Sequence, residues 1–114
     1  MLYHKQIGLP VTVNKALGHY VCKFTMHSLQ ACLNDRYGKV KPPLEIDITA
    51  QNVVECEILG QSVAKVVIRQ SYNETKDISL ALIPDGNRAI VKTLWLNDKT
   101  DNHLTLDESK YSKV

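Results

Sequence analysis

Aromatic side chains are scarce in this sequence: they make up 6% of 114 residues, with a single tryptophan and a single phenylalanine. Its core must therefore be filled by aliphatic residues. Cys22, Cys32 and Cys56 are the only cysteines, and they lack the close Cys-x-x-Cys spacing that zinc ribbons and thioredoxin-like sites require. This points away from thiolate metal chemistry and towards a reducing, cytoplasmic compartment. No apolar run approaches ~20 residues, and the start of the sequence has no basic segment followed by an apolar stretch. Neither membrane spanning nor secretion is expected. Charge of one sign is also limited, because 14 Lys and Arg against 12 Asp and Glu leave a formal net charge of +2. A strongly basic nucleic-acid binder carries more than this. Any anion-binding surface has to arise from local clustering.

What is present fits one domain over residues 1–114, large enough to bury a core of its own. Residues 1–19 read as an irregular arm broken by Gly8 and Pro10, with a short strand near 11–13. Residues 20–24 follow as a strand. Thr25 then suits the N-cap of a helix over 26–37, closed by Gly38. Its apolar stripe is Met26, Leu29, Cys32, Leu33 and Tyr37, with Arg36 at the centre of that stripe and His27, Gln30 and Asn34 on the other side. Lys41-Pro42-Pro43 ends the helical region. Residues 49–59 fit either a helix or a linker leading to an alternating strand, and their β-branched content favours a strand from Val53. Residues 62–70, 77–83 and 88–96 alternate as strands, joined by polar turns. The expected class is α+β: one main N-terminal helix packed on a curved antiparallel four-stranded meander, followed by a polar tail over 98–114.

Several side chains could carry chemistry. If Ala64, Val66 and Ile68 face the helix, Lys65 and Arg69 project from the opposite face of their strand. On the last strand Lys92 lies among Ile90, Leu94 and Leu96, whereas Thr93 and Trp95 share the other face. Only one of these sets can join Lys65 and Arg69, and the pattern leaves that open. His27, at the first turn of the helix, and His103, in the tail, form a candidate general acid and base; His4 and His19 give weaker signals. Trp95 and Tyr111 are placed to stack on a base, and Arg36 could reach across the helix end to a phosphate. Asp98, Asp101, His103 and Asp107 match no compact calcium loop, so no metal and no cofactor is expected. Thr105-Leu106-Asp107-Glu108 reads as a capping box opening a short terminal helix.

Two stretches carry a resemblance: Thr25-Met26-His27-Ser28-Leu29 running to Asp35-Arg36-Tyr37-Gly38, and Val91-Lys92-Thr93-Leu94-Trp95-Leu96-Asn97 with Asp101-Asn102-His103. Together they resemble the small ribonuclease fold of RelE-type toxins and colicin D-like nucleases, over about residues 20–97. The resemblance implies a metal-independent RNA endonuclease that drives 2′-hydroxyl attack. In it His27 or His103 is acid or base, Lys92 and Arg69 stabilise phosphate charge, Thr93 orients a hydroxyl, and Lys65, Arg36, Trp95 and Tyr111 bind RNA. RNA and a protein inhibitor are the partners it implies. The rival expectation is a non-catalytic phage or bacterial accessory module that grips a protein or nucleic acid with the open sheet face.

Overall fold

Alternation of Val, Ile and Leu with polar or small residues runs through most of the chain, and it produces strands nearly everywhere. The computed structural model describes residues 1–101 and 106–114. Its strands are β1 (Leu2–His4), β2 (Gly18–Phe24), β3 (Glu45–Ile48), β4 (Val53–Leu59), β5 (Ser62–Ser71), β6 (Lys76–Asp85) and β7 (Arg88–Asp98). They form one seven-stranded sheet in the order β1-β4-β5-β6-β7-β2-β3. Every neighbouring pair is antiparallel except β2 and β7, which run parallel. The expected four-stranded meander is therefore corrected. Strands β4 to β7 do follow one another antiparallel, but β1 extends one side of that group, and β2 and β3 extend the other.

The order of strands forces the sheet to roll up. β3 is one edge, β4 lies five positions away, and only residues 49–52 connect them. Five interstrand steps of ~4.8 Å would separate the two by ~24 Å in a flat sheet. Five peptide steps, from Ile48 to Val53, reach at most ~17 Å when fully extended. The chain does not even extend, since the Val53 N–H donates to the Thr49 carbonyl at 3.3 Å. Asn52 stabilises this corner. Its Oδ1 accepts from the Thr49 N–H at 2.9 Å, its N–H donates to Thr49 Oγ1 at 3.2 Å, and its Nδ2 donates to the Asp47 carbonyl at 2.7 Å. The Asn52 carbonyl also accepts from the Arg69 N–H at 2.9 Å, which ties the corner to β5.

The concave side of the rolled sheet is the core. Ile48, Val53, Cys56, Val66, Ile68, Ile78, Leu80, Leu82 and Val91 are all at most 2% exposed there. A 3-10 turn over Val11–Ala16 packs into the concavity through Val13 and Ala16, at the three-residue spacing that such a turn aligns on one side. The Tyr20 hydroxyl donates to the Ala16 carbonyl at 2.8 Å and holds the turn in place. This turn replaces the short strand expected near 11–13. Pro10 leads into it, its carbonyl accepting from the Val13 N–H.

The helix α1 (Met26–Leu33) departs furthest from expectation. Thr25 is its N-cap, accepting from the Ser28 N–H at 3.1 Å. Yet α1 buries Ser28 and Cys32, and leaves Met26, Leu29 and Leu33 exposed. It lies beside β7 where β2 leaves the sheet: the Thr25 hydroxyl donates to the Val91 carbonyl at 2.9 Å, and Leu96 N–H donates to Asp35 Oδ1 at 3.2 Å. Asp35 also accepts from the Tyr37 N–H at 3.1 Å, a local turn that competes with continued helix, so α1 ends four residues earlier than expected. A helix over the sheet face is thus replaced by a short helix along an edge. Replacing Asn52 with Ala should remove the two side-chain hydrogen bonds at the corner, through Oδ1 and Nδ2, and lower stability by about 1–3 kcal/mol, measured as a shift in the urea midpoint with unchanged slope.

Candidate functional site

On the convex face, cross-strand pairing arranges side chains in rows. One row is Arg69, Ser79 and Trp95; the next is His4, Glu55, Val67, Ala81 and Thr93; a third holds Ser71, Asp77 and Asn97. Small side chains at Val67, Ser79 and Ala81 form a low floor between taller neighbours. The described residues of the C-terminal segment lie above this floor. Tyr111 meets the His4 ring edge-on, with centroids 5.1 Å apart, and the Ser112 N–H donates to the Leu2 carbonyl at 2.7 Å. Between sheet and segment lies a cleft of about 270 Å³, lined among others by His4, Glu55, Arg69, Ser79, Trp95 and Tyr111. A second hollow of about 380 Å³ shares His4, Val54 and Arg69 with it and reaches Lys5, Lys99 and Asp101. Asp101 lines this second hollow, and Leu106 lines the first.

The polar groups of the cleft are held in fixed roles. Arg69 donates through Nε to Asp77 Oδ2 at 2.9 Å and through a terminal nitrogen to the Asp98 carbonyl at 2.8 Å. Lys99 Nζ donates to Asp77 Oδ1 and to Ser71 Oγ, both at 2.8 Å. Burial pushes the Asp77 carboxyl up, but hydrogen bonds from Lys99 and Arg69 and their positive charge outweigh it, leaving the group below the usual carboxylate range. Asp98 is likewise held low, by hydrogen bonds from Lys76 and from the Tyr37 hydroxyl, the latter at 3.0 Å. His4 Nδ1 accepts from the Gln6 N–H at 3.2 Å, so the proton of the neutral ring sits on Nε2. The Tyr111 hydroxyl is raised by burial, then by the charge of Glu55 and a hydrogen bond to that carboxylate. It remains a donor at neutral pH. Ser79 Oγ donates to Asn97 Oδ1 at 2.7 Å, and both residues are buried.

Of the residues singled out from sequence, Arg69, Trp95 and Tyr111 come together in the cleft. Thr93 and Lys65 share its sheet face without lining it. The open question about the last strand is answered: Thr93 and Trp95 join Arg69. Lys92 is the extra residue of a β-bulge, because Ala81 pairs with Thr93 while Leu82 pairs with Val91. It is exposed, and its carbonyl accepts from the Thr25 hydroxyl at 3.3 Å. His27 is exposed on α1 and does not line the cleft. Arg36 lies past the end of α1 rather than on its stripe, stacked 4.7 Å over the Tyr37 ring. His103 lies outside the described residues, as does Thr105 of the expected capping box; the terminal 3-10 turn over Glu108–Lys110 is capped by Asp107, which accepts from the Ser109 N–H.

Sequence reading gave too little weight to His4 and passed over Glu55, Asp77, Ser79 and Asn97. The signal was Asp77-Ile78-Ser79-Leu80-Ala81-Leu82, where small or polar residues alternate with large aliphatic ones in a central strand. Thiol chemistry is remote at neutral pH: burial and the charge of Glu45 push Cys22 up to about 11, and burial also raises Cys32 and Cys56. No described helix is long and apolar enough to cross a membrane.

Because the Asp77 carboxyl is lowered in the folded state, its contribution is complete above the unfolded value of ~4 and is lost as pH falls through the lowered one. Asp77→Asn should cost about 1–3 kcal/mol at pH 7. Its urea midpoint and that of the parent protein should converge as pH is lowered below ~4.

Comparisons of the chain with protein-family models, with curated proteins and with solved structures return no match.

Proposed function

We propose that this protein takes single-stranded RNA into the cleft between the sheet and the C-terminal segment and cleaves it through the 2′-hydroxyl. The observation that carries this reading is the convergence of Arg69, Trp95 and Tyr111, two aromatic planes and a guanidinium, around a floor of small side chains. Aromatic side chains in such a cleft stack on unpaired bases for about 1–3 kcal/mol per base. Donors on Arg69 beyond the two already engaged would meet a phosphate, and Thr93, on the same face, would orient a hydroxyl. His4 is given no proton-shuttling role, since its Nδ1 already accepts from the Gln6 N–H. Proton transfer is assigned to His103, on the resemblance of its sequence context alone. His27 gets no role in the cleft, given its place on α1.

A second reading, binding without cleavage, is favoured by the ion pairs: Arg69 is bound to Asp77 and to a strand carbonyl, as a structural cation would be. One experiment separates the two. The protein is incubated with pooled tRNA and mRNA in EDTA, cut ends are mapped, and binding is followed by the fluorescence of Trp95, the only tryptophan. Under the first reading, 2′,3′-cyclic phosphate ends form, His103→Ala lowers cleavage at least about 100-fold while binding persists, and Trp95→Phe removes the fluorescence response. Quenching without cuts would establish the binding module. RNA that leaves Trp95 fluorescence unchanged and stays uncut would overturn both.

A further inference from the structure

The apolar residues of α1 face away from the core. Met26 is 73% exposed, Leu29 44% and Leu33 62%, and at this spacing they share one side of the helix. The residues that α1 buries are Ser28 and Cys32. A surface helix on a lone domain ordinarily does the reverse. The burial of Ser28 is stabilised locally, since its Oγ donates to the Thr25 carbonyl at 2.8 Å and the Thr25 hydroxyl donates to β7. Helix docking is therefore fixed by polar contacts with the β7 edge, and the stripe of Met26, Leu29 and Leu33 is left for something else.

The charges around the stripe indicate what that is. Residues 26–33 contain no Asp, Glu, Lys or Arg. Exposed Lys23 and Lys92 lie at the N-terminal end of α1, Lys92 through its carbonyl's bond to the N-cap hydroxyl. Exposed Arg36 and Lys39 follow its C-terminal end. Of the carboxylates near its C-terminal end, Asp35 accepts from the Leu96 and Tyr37 N–H groups, Asp98 accepts from Lys76 and the Tyr37 hydroxyl, and Asp101 lines a hollow with Ala31 and Arg36 on the β7 side. The result is an apolar strip with a cation pair at each end. Two copies of this chain meeting through the strip would set like charges against each other, which disfavours self-association.

We propose that the exposed side of α1 is a docking surface for an acidic amphipathic helix of another protein, whose apolar face covers Met26, Leu29 and Leu33 and whose carboxylates meet Lys23, Lys92, Arg36 and Lys39. This surface is separate from the cleft and does not depend on the RNA reading. The probes are two synthetic amphipathic helical peptides with the same leucine spacing, one carrying Glu and the other Lys on the polar side. Calorimetric titration of the intact protein should show the Glu peptide binding at least tenfold more tightly than the Lys peptide, and weakening as salt rises. Leu29→Glu with Leu33→Glu should reduce binding at least tenfold with an unchanged circular dichroism spectrum, because both side chains are exposed. Arg36→Ala with Lys39→Ala should reduce the preference for Glu over Lys. Equal binding of the two peptides, or no binding of either, would overturn the proposal. So would a concentration-dependent dimer in sedimentation that Leu33→Glu abolishes, since it would give the strip to a second copy.

Discussion

The four-residue link between β3 and β4 is the constraint on which the rest depends. It joins strands that a flat sheet would hold ~24 Å apart, so the sheet has to roll, and rolling creates an inside and an outside. The inside is closed by aliphatic side chains from the strands and by the 3-10 turn, a means of filling a core that needs few aromatics. This explains how a chain with 6% aromatic residues buries a continuous core without a helix laid across the sheet. The helix is displaced to the edge of β7 because the position it would cover is already occupied by Val13, Ala16 and the curled ends of the sheet itself.

Rolling also determines what the convex face can carry. That face carries polar groups beside Val67 and Ala81, and several of them are held by a neighbour. Arg69, Asp77, Lys99 and Ser71 form one chain of contacts, and Lys76, Asp98 and Tyr37 another. Both chains gather at the end of the sheet where β5, β6 and β7 meet the turns. They stabilise an otherwise open strand end, and they fix Arg69 beside the cleft floor at the same time. A partly buried ion pair of this kind costs more to break by removing one partner than it contributes as a pair. The guanidinium is therefore well oriented, and its affinity for any incoming anion is limited by the carboxylate it already holds.

Part of the architecture was legible in the sequence, for a physical reason, although the seven-stranded mixed sheet was not. Strands β4 to β7 are adjacent in the chain and joined by short polar turns, so local alternation and turn chemistry were enough to identify them. The Thr25 N-cap was equally local. What escaped was non-local. The pairing of β2 beside β7 in parallel, and of Met1 to His4 along β4, leaves no periodic trace in segments of three to seven residues. Of the site, Arg69, Trp95 and Tyr111 were visible as residue types, but their convergence depended on the bulge at Lys92. That bulge shifts the register by one residue and decides which side chains share a face. His4 was discounted because the strand that carries it is too short to announce itself.

The misreading of α1 has the most consequence, because it arose from a rule that usually holds. Met26, Leu29, Cys32 and Leu33 do form an apolar side, and apolar sides of helices usually mark the core. Here Asp35 binds the Leu96 N–H and Thr25 binds the Val91 carbonyl, which clamps α1 to the β7 edge at both ends. With both ends clamped, the rotation of the helix about its axis is set by these polar contacts and not by hydrophobicity. Cys32 then reaches the core while the leucines do not. An amphipathic pattern thus records that a helix has an apolar side to bury, but not which surface buries it; in this fold the surface that would cover Met26, Leu29 and Leu33 is not among the described parts of the chain.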